Sequence, residues 1–198
     1  MSTLGSIGLK VSTGRAVVVV LRGTRVLPEM VVRYEISLSD PWLPESLHPY
    51  HQELGRSGTE GEEARVRGCR AAQASARSAI RGLVAEMKAH GLRPCGAVLV
   101  VRSLGDPNAV TGAHARAHAL EASLYGESAA QTLRECGVRV ALQEEKTVKA
   151  WAVRELRQTA RHADAMLKMF VRQVGTPWRS DEKEAALAAW VTLPDRED

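Results

Sequence analysis

The sequence lacks any apolar run long enough to cross a bilayer. Its longest apolar runs, residues 16–21 and 97–101, are far shorter than the roughly 20 residues of a membrane-spanning helix. The first residues also lack the basic and then apolar pattern of a secretory signal. We therefore expect a cytoplasmic protein with no membrane partner.

Cysteines and aromatic residues are both scarce. Cys69, Cys95 and Cys136 are widely spaced and form no C-x-x-C pair, which argues against a disulfide framework or a zinc-cysteine site. Aromatic residues make up only 4% of the chain, with a single phenylalanine. We therefore expect buried thiols, and no binding of single-stranded nucleic acid by base stacking.

Neither sign of charge dominates the chain. It contains 27 lysines and arginines and 23 aspartates and glutamates, so its net charge is +4. Because the basic residues are interleaved with acids, this excess is only a weak indication of a polyanionic partner. Contacts to the phosphate backbone of DNA or RNA are compatible with this composition.

Three consecutive segments have strand patterns. Residues 4–21 look like two apolar strands joined by a turn of small residues, and residues 15–22 are an almost continuous β-branched run, as in a strand buried on both faces. Residues 29–38 alternate between apolar and polar side chains, the period of a half-exposed strand. The connections are short enough to make all three strands antiparallel.

Helices and strands alternate through the rest of the chain. Residues 39–61 are rich in proline and glycine, which predicts a long surface loop without regular elements. Strands are predicted over 97–101 and 138–142, and helices over 62–90, 113–136, 147–161 with a second piece beyond, and 180–193. Ser180 is the candidate N-cap of the last helix, and residues 194–198 are expected to form a flexible tail.

The resulting order, βββαβαβα, belongs to the α/β class. Helices that connect parallel strands after an antiparallel opening predict a mixed five-stranded sheet with helices on both faces. We expect a single domain over residues 1–193.

Two segments resemble the RuvC-type Holliday-junction resolvases of the ribonuclease H-like superfamily. Residues 7–12, Ile-Gly-Leu-Lys-Val-Ser, resemble the family's first strand, apolar-Gly-apolar-Asp-Pro-Gly, with Lys10 at the aspartate position. Residues 184–188, Glu-Ala-Ala-Leu-Ala, resemble the Asp-Ala-Leu-Ala of its last helix, with Glu184 at the metal-binding position. The resemblance implies a ribonuclease H-like fold.

Two further segments resemble the same family in part. Residues 98–102 resemble the fourth strand, whose terminal glutamate would fall on Val101 or Arg102. Residues 147–149, Thr-Val-Lys, resemble a Val-Lys element that leads toward the DNA backbone in resolvases. The resemblance therefore implies a RuvC-type domain with altered catalytic positions.

The altered positions change the expected chemistry. Two-metal cleavage of a phosphodiester needs three or four carboxylates around two divalent ions, whereas Lys10 and Arg102 would bring two cations there. Either catalysis is lost, or the cations bind a phosphate or carboxylate instead. Glu184 should face the sheet and could pair with Lys10. The alternative is that Glu184 is only a first-turn acid favoured by the helix dipole.

Three functional hypotheses stay open. The leading one is a pseudoenzyme that lacks the two-metal site and serves as a nucleic-acid-associated or assembly module, with candidate backbone contacts at Lys146, Lys149 and Arg154. The second is a divergent metal-dependent endonuclease acting on structured DNA, in which Glu144, Glu145 and Glu184 hold Mg²⁺ or Mn²⁺. No other cofactor is expected. The third is a protein-binding scaffold that forms a homodimer through the small residues Ala113, Ala117, Ala119 and Ala122.

Histidines also recur at helical spacing. His114, His118 and Glu121 lie at i, i+4 and i+7 of a predicted helix, a spacing that can present three ligands to zinc. The pattern is not H-E-x-x-H and shows no fourth ligand, so packed or interface histidines are the favoured interpretation. His48 and His51, in the proline-rich segment, are a weaker signal still.

Overall fold

Five strands form one open, mixed sheet in a computed structural model that describes residues 3–56 and 58–196. The strands are β1 (Thr3–Ser12), β2 (Arg15–Gly23), β3 (Pro28–Ser37), β4 (Leu92–Val101) and β5 (Val140–Glu144). Their spatial order is β3-β2-β1-β4-β5. The first three strands pair antiparallel, whereas β4 and β5 run parallel to β1. The predicted mixed sheet is confirmed.

Six helices and two short 3₁₀ turns complete the described part of the chain. The helices are α1 (Pro49–Leu54), α2 (Gly58–Ala89), α3 (Ala113–Glu135), α4 (Val148–Glu155), α5 (Ala160–Val174) and α6 (Ser180–Thr192). The 3₁₀ turns are Pro44–Ser46 and Pro107–Ala109. Within the described residues, no helix combines the length and the apolar character needed to cross a membrane.

Side chains on the two faces of the sheet lie in two separate hydrophobic cores. Ile7 and Leu9 of β1 lie in the core under α2 and α3, whereas Val17 and Val19 of β2 lie in the core under α4, α5 and α6. Because successive strand residues point to opposite faces, β2 contributes side chains to both cores, whereas on the α6 face β1 presents Gly8 and Lys10. The prediction of helices on both faces is confirmed.

Gly8 allows α6 to lie directly on β1. A Cβ atom at this position would be 1.8 Å from the backbone oxygen of Ala185, far inside van der Waals contact. Since α6 also packs against helices α4 and α5, seven of its residues between Ala185 and Val191 are buried. The close approach brings the first turns of α6 to the edge of the sheet where β1 ends.

The expectation of an irregular loop over residues 39–61 is wrong for most of its second half. Pro44 and Pro49 stand in the first turns of the 3₁₀ turn and of α1, where the missing N–H of proline costs nothing. Tyr125 of α3 donates a hydrogen bond to the carbonyl of Ser46, and α2 begins at Gly58 rather than at residue 62. Packing against α3 therefore orders a segment whose local composition predicts a loop.

The helix boundaries near the end of the chain also differ from expectation. The helix predicted over 147–161 is interrupted after α4, where Arg157 adopts a left-handed φ of 51°, and Thr159 then caps α5. The N-cap of α6 is Arg179 rather than Ser180. Of the predicted tail, Pro194 accepts a hydrogen bond from the backbone of Arg25, whereas residues 197 and 198 lie outside the described part.

Candidate functional site

Lys10 is a buried cation at the edge of the sheet where the parallel strands end. It lies on β1 opposite Val17 of β2 and Val100 of β4, and only 4% of its surface is exposed. It shares the α6 face with Gly8, two residues earlier in the strand. In α/β sheets this carboxyl edge is where ligands commonly bind, so the surroundings of Lys10 are a candidate site.

Two glutamates contact the ammonium group of Lys10. The Nζ atom lies 2.5 Å from Oε2 of Glu145 and 3.7 Å from Oε2 of Glu184. Glu145 directly follows β5, and its backbone N–H donates to the carbonyl of Val101, so it continues the parallel pairing by one residue. Glu184 projects from α6. The ends of β1 and β5 and the first turns of α6 thus meet at the buried charge of Lys10.

The two carboxylates differ in their surroundings. Glu145 is 44% exposed at the side chain, whereas Glu184 is 15% exposed and accepts a hydrogen bond of 2.9 Å from Ser180 at Oε1. Its Oε2 atom is buried and has no hydrogen-bond partner among the described residues. Burial raises the pKa of Glu184, and nearby Glu145 and Asp181 add to this, against the opposing effects of Ser180 and Lys10.

Two other acids in the first turn of α6 also have basic partners on the sheet. Asp181 lies 3.1 Å from Arg15 of β2, and Glu182 lies 3.6 Å from Arg33 of β3. Glu182 also accepts a hydrogen bond from the backbone N–H of Arg179. The helix start is therefore held on the sheet by several ion pairs, and its acids do more than complement the helix dipole.

The remaining predicted residues lie outside the Lys10 contacts. Glu144 accepts a hydrogen bond of 2.8 Å from the backbone of Leu104, so it holds the loop that follows β4. Arg102 and Lys146 are exposed, and among the described residues neither forms a side-chain hydrogen bond or ion pair. The other two predicted cations are engaged in surface pairs: Lys149 with Asp164 at 2.6 Å, and Arg154 with Glu155 at 3.1 Å.

A second cluster joins α1 to α3 and contains His114, His118 and Glu121. Glu121 is fully buried. Its Oε1 lies 2.8 Å from Nδ1 of His51, and its Oε2 lies 3.0 Å from Nδ1 of His48. The Nε2 atoms of His114 and His118 are 3.2 Å apart. Partial burial and the imidazoles of His51 and His114 lower the pKa of His118.

Sequence patterns missed the participation of His48 and His51 in this cluster. Among the described residues, two sets of three side chains can present potential metal ligands within 4.8 Å of one another: His51, His114 and His118, and His48, His51 and Glu121. The helical spacing on α3 predicts only that His114, His118 and Glu121 share one face of a helix. No local pattern signals that α1 folds against it.

Comparisons with known proteins identify the fold. No protein-family model matches the sequence, and no curated protein matches it either. A structure of Thermus thermophilus RuvC in complex with a Holliday junction substrate matches with a TM-score of 0.57 and 10% identity, over 95% of this chain and 91% of that chain. A second Thermus thermophilus RuvC structure matches with a TM-score of 0.56 and 9% identity, over 95% and 92%. The fold is ribonuclease H-like and of the RuvC type.

Proposed function

We propose that this chain is a non-catalytic, RuvC-fold module that associates with nucleic acid through the carboxyl edge of its sheet. The observation that carries the proposal is the buried ammonium of Lys10, in contact with Glu145 and Glu184. At this edge a two-metal nuclease needs carboxylates that are free to bind divalent ions.

The side chains around Lys10 do not fit a pair of divalent ions. Lys10 contacts the two carboxylates that would serve as ligands and neutralises them in part, and its own charge would repel a cation a few ångströms away. Glu144 is turned to the backbone of Leu104. Among the described residues, Glu144, Glu145 and Glu184 do not form a group with ligand atoms within 4.8 Å of one another. The divergent nuclease is therefore the weaker hypothesis.

Association with nucleic acid is supported by the shared fold and by the charges at this edge. The similar Thermus thermophilus RuvC is seen in complex with a Holliday junction. In this chain Arg102 and Lys146 are exposed, and the surface pairs of Lys149 and Arg154 are of a kind worth only about 0–1 kcal/mol. A phosphate backbone can therefore compete for Arg102, Lys146 and Lys149, whereas Arg154 lies beside Arg25 and Asp195 at the opposite edge of the sheet.

A cleavage assay tests the catalytic half of the proposal. We expect a four-way junction and a linear duplex to remain uncut by the purified protein with Mg²⁺ or Mn²⁺. Cleavage that Glu184→Gln abolishes would contradict the proposal and establish the nuclease instead. The Gln variant excludes a contaminating nuclease, because such an activity would persist in it.

A binding assay tests the nucleic-acid half. The double variant Arg102→Gln with Lys146→Gln should weaken binding to a junction and reduce its dependence on salt, because fewer counterions are released. Lys88→Gln is the matched control, since Lys88 is exposed at the end of α2, just before β4 begins, and thus at the opposite edge.

The scaffold hypothesis predicts a different result from the same assay. If the chain binds no nucleic acid at low salt and forms a stable homodimer in solution, the scaffold hypothesis is correct and the nucleic-acid module is not. Of the four alanines proposed for that dimer, Ala117 is buried within the chain, which leaves three for a contact between copies.

A further inference from the structure

The cluster of histidines between α1 and α3 is independent of the Lys10 site and of the proposed function. Three imidazole rings meet there: the ring centre of His51 lies 4.8 Å from that of His114 and 4.3 Å from that of His118, and the last two lie 4.7 Å apart. All three residues can present ring nitrogens that lie within 4.8 Å of one another. Such convergence of imidazoles is typical of transition-metal sites.

The spacing of the nitrogen atoms suits a tetrahedral ion. Zinc bonds to histidine nitrogen at about 2.0–2.1 Å, so two ligands at a tetrahedral angle have nitrogens about 3.3 Å apart. The Nε2 atoms of His114 and His118 are 3.2 Å apart. One turn of α3 separates the two residues, which lets both rings point to the same position.

Glu121 orients the third ring. Its Oε1 accepts hydrogen bonds from the Nδ1 of His51 at 2.8 Å and from the backbone N–H of His51 at 3.2 Å. With the proton on Nδ1, the lone pair of His51 is on Nε2, a buried atom with no hydrogen-bond partner among the described residues. A carboxylate behind a histidine is the usual outer partner of a metal-binding imidazole.

We propose that His51, His114 and His118 bind a zinc ion, with Glu121 as the carboxylate that positions His51. His48 pairs with the other oxygen of Glu121 and belongs to this outer layer. The buried carboxylate reduces the net charge of the site, and the ion fastens α1 to α3.

The fourth coordination position is accessible. His114 and His118 also line a groove of about 740 Å³ that is bounded by Arg102 and by the loop after β4. The side chain of His118 is 45% exposed. Three protein ligands with one open position favour a water molecule as the fourth ligand.

Titration of the purified, chelator-treated full chain with Zn²⁺ and with Co²⁺ tests the site. We expect one ion per chain, a higher midpoint of thermal unfolding with Zn²⁺, and the visible absorption of tetrahedral Co²⁺. His118→Asn should weaken binding at least 100-fold, and Glu121→Gln should weaken it about 10- to 100-fold. His90→Asn is the matched control, because His90 is exposed and lies outside the cluster.

The site is overturned if the wild-type chain binds no Zn²⁺ at micromolar concentration, or if His118→Asn binds as tightly as His90→Asn. Because His118 is partly exposed, its replacement should leave the fold intact, which the far-ultraviolet circular dichroism of the metal-free variants checks. The Co²⁺ spectrum and the stoichiometry do not depend on nucleic-acid binding. Failure of the proposed function would therefore leave this result unchanged.

Discussion

Lys10 is a buried charge at the carboxyl edge of the sheet. A lysine buried without a partner loses the hydration of its charge, a cost of several kcal/mol. Here the ammonium contacts Glu145 and Glu184, so the three groups neutralise one another in part. Under the proposed function, these contacts withhold both carboxylates from metal binding.

The pH dependence of stability tests the surroundings of Glu184. Burial raises the pKa of Glu184 above its ordinary value of 4.5, so the folded state holds this proton more tightly than the unfolded state. The residue's contribution to the free energy of unfolding is therefore fullest below pH 4.5 and is lost as the pH rises through the raised pKa. As the pH rises over this range, the free energy of unfolding of Glu184→Gln should therefore increase relative to that of the wild type.

Chemical denaturation at a series of pH values measures this difference. Glu60→Gln provides the control, since Glu60 is exposed in the first turn of α2. A pH trend of equal size in the two variants would show that Glu184 titrates like a surface acid.

At the scale of elements, the contact between β1 and α6 determines where the site lies. The helix reaches the sheet only because Gly8 has no side chain, and this contact sets the distance from Glu184 to Lys10. A small displacement of α6 would separate the charges on the helix start from their partners on the strands. The ion pairs of Asp181 with Arg15 and of Glu182 with Arg33 depend on the same contact.

Gly8→Ala tests this contact. The new Cβ would meet the backbone oxygen of Ala185 at 1.8 Å, so we expect destabilisation of at least about 3 kcal/mol, at the upper end for overpacked cores. Gly82→Ala is the control, because a Cβ at this exposed position of α2 meets no atom within 4 Å. It should stabilise the protein by about 0.5–1 kcal/mol. If the two variants change the free energy of unfolding in urea by the same amount, α6 does not lie as close to β1 as described.

For the whole molecule, one sheet joins the two cores. Residues of β2 alternate between the core under α2 and α3 and the core under α4, α5 and α6, and β1 adds Ile7 and Leu9 to the first. Loss of either core would expose one face of strands that support the other. The single domain over residues 1–193 therefore stays a prediction with a physical basis.

We expect both cores to unfold in one transition. Trp190 is buried in the core under α6, and Trp151 and Trp178 pack against that core. The fourth tryptophan, Trp42, is already exposed in the folded chain, so the change in tryptophan fluorescence on unfolding reports mainly on this face. Far-ultraviolet circular dichroism is dominated by the long helices α2 and α3 of the other face. Coincident midpoints in urea would agree with one cooperative unit, and separate midpoints would divide the chain into two.

Some of the site could be predicted from sequence because its signals are local. The apolar runs and the period of two predict the antiparallel opening, and the helical periods predict the alternation that follows. The position of Lys10 within the first strand, and of Glu184 near the start of the last helix, follows from the same patterns and from the resemblance. These features depend on residues that are close in the chain.

The contacts between distant segments were decided by tertiary structure. Glu145 meets Lys10 because the parallel strands β1, β4 and β5 end at one edge. No local sequence pattern predicts the distance between these two residues. His48 and His51 meet His114 and His118 because a proline-initiated helix packs on α3, within a segment that composition alone predicts to be a loop. Sequence by itself determined the strands, most of the helices and the unusual lysine. Packing decided which charges and imidazoles share a site.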